Sequence, residues 1–78
     1  MSKYHKDKTL DARGLSCPMP SVKTALALEQ MSPGQVIEVI TDDPVSKKEL
    51  PVWAESTGNE LLGMEQDEET VRIYLRKA

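Results

Sequence analysis

The stretch SPGQVIEVITDDP, residues 32–44, decides the fold of this chain. Its middle part, residues 36–40, is β-branched and almost continuously apolar, a pattern typical of a strand buried in the centre of a sheet. Ser32-Pro33-Gly34 in front of it is a strong stop for a preceding helix. Thr41-Asp42-Asp43-Pro44 behind it turns the chain. We therefore expect a central strand that follows one helix and leads into another.

The sequence before this stretch predicts the first helix, over residues 18–31. Val22, Ala25 and Leu26 recur at helical spacing, so we expect them to form the face that packs on the sheet. Leu28 should lie beside that face.

The sequence after the stretch predicts a second helix that ends near Thr57. Ser46-Lys47-Lys48-Glu49 matches a capping box, which predicts Ser46 as the N-cap. Pro51 conflicts with this start because proline removes a helical hydrogen bond, so we expect a late start or a kink. Trp53 should pack the helix onto the sheet.

Three further strands are predicted, a short one over residues 9–12 and a hairpin over residues 60–65 and 70–77. The last strand alternates between apolar and polar side chains, which predicts one buried side and one solvent-facing side. The buried side should carry Val71, Ile73 and Leu75, and the wet side Arg72, Tyr74 and Arg76.

The element order β-α-β-α-β-β predicts a two-layer α/β sandwich, a four-stranded mixed sheet with both helices on one face. We expect a single domain over residues 9–78 after a flexible N-terminal tail over residues 1–8. The first two strands should be parallel, joined by a right-handed crossover. Their carboxyl ends then share one edge of the sheet, which brings the loop with Cys17 next to the loop with Asp42 and Asp43.

Composition narrows the classes of function. The net charge of −3 argues against nucleic-acid binding. A single cysteine excludes an internal disulfide and a zinc site of several thiolates, and the single His5 lies in the tail, so we expect no metal and no cofactor. The polar N-terminus and the lack of a long apolar run predict no secretory signal and no membrane insertion. We expect a cytoplasmic monomer.

The stretch GLSCPMPS, residues 14–21, contains the only cysteine of the chain. Pro18 and Pro20 fit the first turn of a helix, where a missing N–H costs no hydrogen bond. This interpretation places Cys17 at or near the N-cap, where the helix dipole favours a thiolate and lowers the thiol pKa.

A packed, inert residue is the alternative interpretation of Cys17. The chain has no second cysteine for a dithiol cycle, and its histidine is not placed to act as a base. An exposed thiol of this kind is suited to accepting a group, holding it and passing it on.

The segment LDARGLSCPMP, residues 10–20, resembles the signature of the TusA/SirA-like sulfur-carrier proteins, with its Cys-Pro-x-Pro core. The likeness continues through SPGQVIEVITDDP, ELPVWAESTGNELLG and YLRK. It implies a two-layer α/β fold and a persulfide on Cys17. It also implies a sulfur-donor protein, a cysteine desulfurase or a rhodanese-like protein, and an acceptor protein. Met19 stands at the x, where the branch that serves tRNA thiolation typically has glutamate, so the pathway stays open between tRNA thiolation, molybdenum-cofactor synthesis, sulfur oxidation and thiosulfate uptake.

Two groups of residues around Cys17 are candidates for the site. The residues expected to shape the site are Gly14, Leu15, Pro18, Met19 and Pro20. Charged residues are expected to shift the pKa of the Cys17 thiol. Arg13 and Lys23 would lower this pKa, and Asp42 and Asp43 would raise it.

Two other functions stay open at this point. The chain could be a binding or regulatory module in which Cys17 is only a helix cap, or an RNA-binding module of similar topology. Asp42 and Asp43 could likewise serve only as turn and cap residues.

Overall fold

The computed structural model describes residues 6–16 and 19–78. The described part of the chain contains four strands and two helices. In chain order these are β1 (Lys8–Asp11), α1 (Met19–Glu29), β2 (Val36–Thr41), α2 (Pro44–Ser56), β3 (Glu60–Gln66) and β4 (Val71–Arg76). The element order matches the prediction, and β1 begins one residue earlier than expected.

The sheet has the strand order β1-β2-β4-β3. Strand β2 runs parallel to β1 and antiparallel to β4, and β3 is antiparallel to β4 with a bulge between Leu61 and Gly63. The predicted mixed four-stranded sheet is therefore confirmed, with β2 and β4 in its centre. Asp7 also contacts β2, since its N–H donates to Val36 O (2.8 Å) and Val36 N–H donates to its Oδ2 (2.8 Å). Lys6 contacts the same strand through its Nζ, which donates to Glu38 Oε1.

One face of the sheet forms the core with both helices. Ile37 and Val39 of β2 lie opposite Leu75 and Ile73 of β4, and all four side chains are fully buried. The helices cover them with buried residues, and Trp53 is half-buried against the same cluster, as predicted. The helical core residues are Ala27, Leu28, Leu50 and Ala54.

The predicted core face of α1 is wrong. Val22 and Leu26 are 43% and 56% exposed, whereas Thr24 and Leu28 are buried. Helix α1 is apolar on both sides, so the spacing of its apolar residues does not select the packed side. Thr24 can occupy the core because its hydroxyl donates to Pro20 O (2.7 Å), which satisfies it inside the helix.

The predicted start of α2 is also wrong. The helix begins at Pro44, with Asp43 as its N-cap, and it runs through Pro51 to Ser56. Ser46 is not the cap but a buried residue of the first turn. An aspartate followed by a proline at the first helical position is a sufficient start, since the aspartate accepts a free N–H and the proline has none to lose.

The centre of the helix-free face of the sheet is not exposed to solvent, so the prediction that Tyr74 faces solvent is wrong. Tyr74 is fully buried, and its hydroxyl donates to Glu38 Oε2 (2.6 Å) and lies 3.1 Å from Glu65 Oε1. Glu38 is also buried and accepts hydrogen bonds from Lys6 Nζ (2.9 Å) and Thr9 Oγ1 (3.2 Å). These donors compensate the cost of burying a carboxylate.

The pKa of Glu38 reflects this balance. Burial disfavours its charged form, but the hydrogen bonds from Tyr74 and Lys6 more than offset burial and lower the pKa below its ordinary value.

Neither helix in the described part of the chain is long and apolar enough to cross a membrane.

The two sides of α1 can be compared with one type of substitution. Leu28→Ala should lower the free energy of unfolding by about 2–5 kcal/mol because it opens a cavity in the core. Leu26→Ala should change it by only about 0.5 kcal/mol because this side chain is more than half exposed. Urea unfolding of both variants measures the difference, and a larger loss for Leu26→Ala would contradict the observed packing.

Glu38 should make the stability of the protein depend on pH. Because its pKa is lowered by folding, its contribution is fully present above the unfolded value of about 4.3 and is lost as the pH falls through the lower folded value. Urea unfolding of the wild type and of Glu38→Gln between neutral and acidic pH isolates this contribution, since all other carboxyl groups are shared. We expect a shallower loss of stability in Glu38→Gln. Parallel curves would show that Glu38 does not couple folding to protonation.

Candidate functional site

The candidate site lies at the edge of the sheet where the parallel strands β1 and β2 end. Ala12 N–H donates to Ile40 O (2.7 Å), so the segments that continue β1 and β2 stay paired up to this edge. Just beyond it, Gly14 N–H donates to Asp42 Oδ1 (3.1 Å). The loop that follows β1 and the loop that follows β2 are therefore neighbours, as their parallel arrangement predicted.

The β1–α1 loop is held by consecutive backbone hydrogen bonds. Arg13 N–H donates to Asp11 Oδ1 (3.1 Å) and Leu15 N–H donates to Ala12 O (3.3 Å), on either side of the Gly14 contact. Gly14 has a φ of 80°, in the left-handed region that side chains disfavour, so a glycine suits this turn. The segment that leads toward the cysteine is thus anchored up to Leu15.

Cys17 and Pro18 lie outside the described residues, so the predicted N-cap position of Cys17 stays a prediction. The chain on either side of them is described. Ser16 O accepts the N–H of Met19 (2.9 Å), and Met19 is the first residue of α1. Pro20 is the second residue of the helix and is buried; as expected, it lies in the first turn, where an N–H would have no acceptor within the helix.

The apolar residues near the cysteine differ in exposure. Leu15 is half-buried against the core, whereas Met19 is 40% exposed. Val22 and Leu26 extend from Met19 along the solvent side of α1 at helical spacing.

Arg13 forms an ion pair with Asp11, which was not among the predicted site residues. Its guanidinium donates to both carboxylate oxygens of Asp11, from Nε to Oδ1 (2.9 Å) and from Nη2 to Oδ2 (2.8 Å). Hydrogen bonds from the side chain and the backbone of Arg13 lower the pKa of Asp11 to about 2. The same pair raises the pKa of Arg13, to which Asp42 adds a smaller attraction. The spacing Asp11-Ala12-Arg13 is the available sequence signal, because an aspartate often accepts the N–H two residues on.

Lys23, the other cation expected to act on the site, is exposed on the first half of α1.

The adjacent aspartates have different roles. Asp42 contacts the β1–α1 loop, whereas Asp43 caps α2 by accepting the N–H and the hydroxyl of Ser46 on Oδ2 (2.9 Å each). Asp43 N–H in turn donates to Thr41 Oγ1 (3.2 Å). The predicted cap chemistry thus applies to Asp43, while Asp42 faces the candidate site.

Among the residues that the structure describes, no three histidine, cysteine or acidic side chains converge in a way that could hold a metal ion.

Comparison with known proteins identifies the family. The model of the family described as Sulfurtransferase TusA matches residues 8–77. The chain belongs to this family. The sulfur carrier protein TusA of Allochromatium vinosum is 39% identical over 92% of this chain and 95% of its own length. The crystal structure of the SirA-like protein of Desulfitobacterium hafniense superimposes on this structure with a TM-score of 0.76. The two sequences are 30% identical, and the match covers 88% of this chain and 95% of that one.

Some members of the TusA family are much longer than this chain. YrkF of Bacillus subtilis is 47% identical over 87% of this chain, but the match covers only 37% of YrkF. A relative from Aquifex aeolicus matches 100% of this chain at 40% identity, over 40% of its own length. The chain thus spans about two-fifths of the length of these two relatives.

The Asp11–Arg13 pair can be tested by titration. NMR of the Asp11 carboxyl carbon as a function of pH measures the pKa of this group. In the wild type we expect a pKa of about 2. In Arg13→Gln the pKa should rise toward the ordinary value of about 3.9, because the guanidinium no longer stabilises the charged form. Lys23→Gln removes the same charge from α1 and is the matched control. A pKa for Asp11 that is unchanged in Arg13→Gln would contradict the pairing.

Proposed function

We propose that this protein is a sulfur carrier, which receives a sulfane sulfur on Cys17 as a persulfide and passes it to a partner protein. Membership of the TusA family, several of whose members are named sulfur carrier proteins, is the observation that carries the proposal. Cys17 is the only thiol of the chain, so it is the only residue that can form the persulfide.

The loading step conserves atoms and electrons. The Cys17 thiolate attacks the outer sulfur of a donor persulfide, the donor S–S bond breaks, and the donor leaves as a thiolate. The sulfane sulfur and its proton move to Cys17, and no oxidant or reductant is consumed. Delivery is the same step in reverse, with an acceptor thiolate as the attacking group and the Cys17 thiolate as the leaving group.

The surroundings described on both sides of Cys17 suit this chemistry. A helix begins two residues later at Met19, and the N-terminal end of a helix favours an anion, as a thiolate or persulfide is. The preceding loop is fixed by hydrogen bonds through Leu15, so the cysteine follows a segment of defined position. Transfer between two proteins requires such presentation, because the attacking, the transferred and the leaving sulfur atoms must align.

The partners of this reaction are a sulfur donor and a sulfur acceptor. A cysteine desulfurase and a rhodanese-like protein are the donor classes that the proposal includes, since each forms a persulfide on its own cysteine. Met19, in the position two residues after Cys17, is one of the residues that a partner would meet first, since it is partly exposed.

Loading is tested by mass spectrometry of the intact protein. After incubation with a cysteine desulfurase and cysteine, or with a rhodanese and thiosulfate, the wild type should gain the mass of one sulfur atom, and dithiothreitol should remove it. Cys17→Ser, which has no thiol, should gain nothing under either condition.

Two results would argue against a carrier. If the wild type takes up no sulfur from either donor class, the proposed function is wrong, and a binding module becomes the better interpretation. If Cys17→Ser gains the same mass as the wild type, sulfur is not carried on the cysteine.

A further inference from the structure

We propose that Asp42 is a positioning residue for sulfur transfer, which holds the loop leading into Cys17 through the N–H of Gly14. The inference rests on the proposed function, because it assigns Asp42 a part in the reaction of Cys17.

The contact joins two loops that are distant in sequence. Asp42 directly follows the last residue of β2, and its Oδ1 lies 3.1 Å from the backbone N of Gly14, 28 residues earlier in the chain. Among the described residues, the last backbone hydrogen bond that continues the pairing of β1 with β2 is Ala12 N–H to Ile40 O. The side chain of Asp42 therefore extends the link between β1 and β2 beyond the point where strand pairing ends.

The other hydrogen bonds described in this loop, over residues 11–16, do not replace this contact. Arg13 N–H and Leu15 N–H bind acceptors within the same segment, on Asp11 and Ala12. Such local bonds define the shape of the turn, but they do not fix its position relative to β2. Between Ala12, which is bonded to Ile40 O, and Leu15, which packs against the core, Asp42 adds a polar contact that fixes the turn itself relative to β2.

The distance along the chain is short enough for the effect to reach the cysteine. Three peptide units separate Gly14 from Cys17, so their Cα atoms are at most about 11 Å apart even if the chain is extended. A shift of Gly14 is passed on to Ser16, whose carbonyl accepts the N–H of Met19 at the start of α1. Release of Gly14 should therefore loosen the segment that presents the thiol.

Asp42 combines two effects that can be separated by substitution. Its oxygen accepts the Gly14 N–H, which positions the loop, and its negative charge would disfavour an anion that forms close to it. Within residues 6–16 and 19–78, the charged groups besides Asp42 at the end of β1 and in the two loops at this edge are Asp11, Arg13 and Asp43. Asparagine keeps an acceptor oxygen and removes the charge, whereas alanine removes both. If positioning is the role of Asp42, asparagine should rescue what alanine loses.

The experiment compares Asp42→Ala and Asp42→Asn with the wild type. The rate of sulfur loading is measured with a rhodanese and thiosulfate as the donor system. Each carrier variant is used at a concentration too low to saturate the rhodanese. Asp42→Ala should load about tenfold more slowly or worse, since small displacements of a reacting group cost this much or more. Asp42→Asn should keep most of the wild-type rate. Glu29→Gln, which removes a carboxylate from the far end of α1, should load like the wild type.

Two further measurements separate positioning from general stability. Hydrogen exchange of the Gly14 amide, followed by NMR, should speed up in Asp42→Ala and stay slow in Asp42→Asn. Urea unfolding of both variants should give free energies of unfolding close to that of the wild type, so that a loss of loading rate cannot be ascribed to global unfolding. A purely structural role would leave the loading rate of a folded Asp42→Ala unchanged even when its Gly14 amide exchanges faster.

The outcomes are distinct from those of the loading test itself. If the wild type loads and a folded Asp42→Ala loads equally fast, Asp42 is not a positioning residue. If Asp42→Ala does not fold, Asp42→Asn decides, because slow loading by this folded variant with a protected Gly14 amide would overturn the proposal. A wild type that takes up no sulfur overturns the proposed function and this inference with it.

Discussion

The pairing of β2 with both of its neighbours is the interaction on which the rest of the structure depends. The strand is buried along nearly its whole length, and it contacts β1 on one side and β4 on the other. Parallel pairing with β1 requires the crossover through α1, which brings the ends of β1 and β2 to the same edge. The candidate site is therefore a consequence of this pairing, because the loops that contain Gly14 and Asp42 can meet only there.

The same strand buries a charge. Glu38 lies in the middle of β2, with Tyr74 directly opposite on β4 and Thr9 opposite on β1. All three sit on the face that the helices leave open, and hydrogen bonds between them replace the contact with water that Glu38 loses. Because Lys6 also binds Glu38, the chain before β1 is tied to the centre of the sheet. This polar cluster favours one register of the strands, since a shift by one residue would leave the carboxylate buried without donors.

The two adjacent aspartates at the candidate site, Asp42 and Asp43, have different structural roles. Asp43 stabilises the start of α2, and Asp42 reaches across to the loop after β1. Arg13 is bound to Asp11, so the cation closest in sequence to the cysteine is already partly neutralised. The N-terminal end of α1, which begins two residues after Cys17 in the sequence, carries a positive partial charge directed along the helix.

The sequence by itself determined the element order, the central position of β2 and the neighbourhood of the two loops, because these follow from a β-branched run, strong turn residues and the geometry of parallel strands. The motif around Cys17 also pointed to the family that the chain belongs to. Only the tertiary structure decided which side of α1 is packed, which residue caps α2 and where Tyr74 lies. Helix α1 is apolar on both sides, two stretches near α2 resemble caps, and Tyr74 alternates with arginines although it is buried. In each case local pattern allowed two answers, and the choice depended on partners distant in the chain, such as Glu38 for Tyr74.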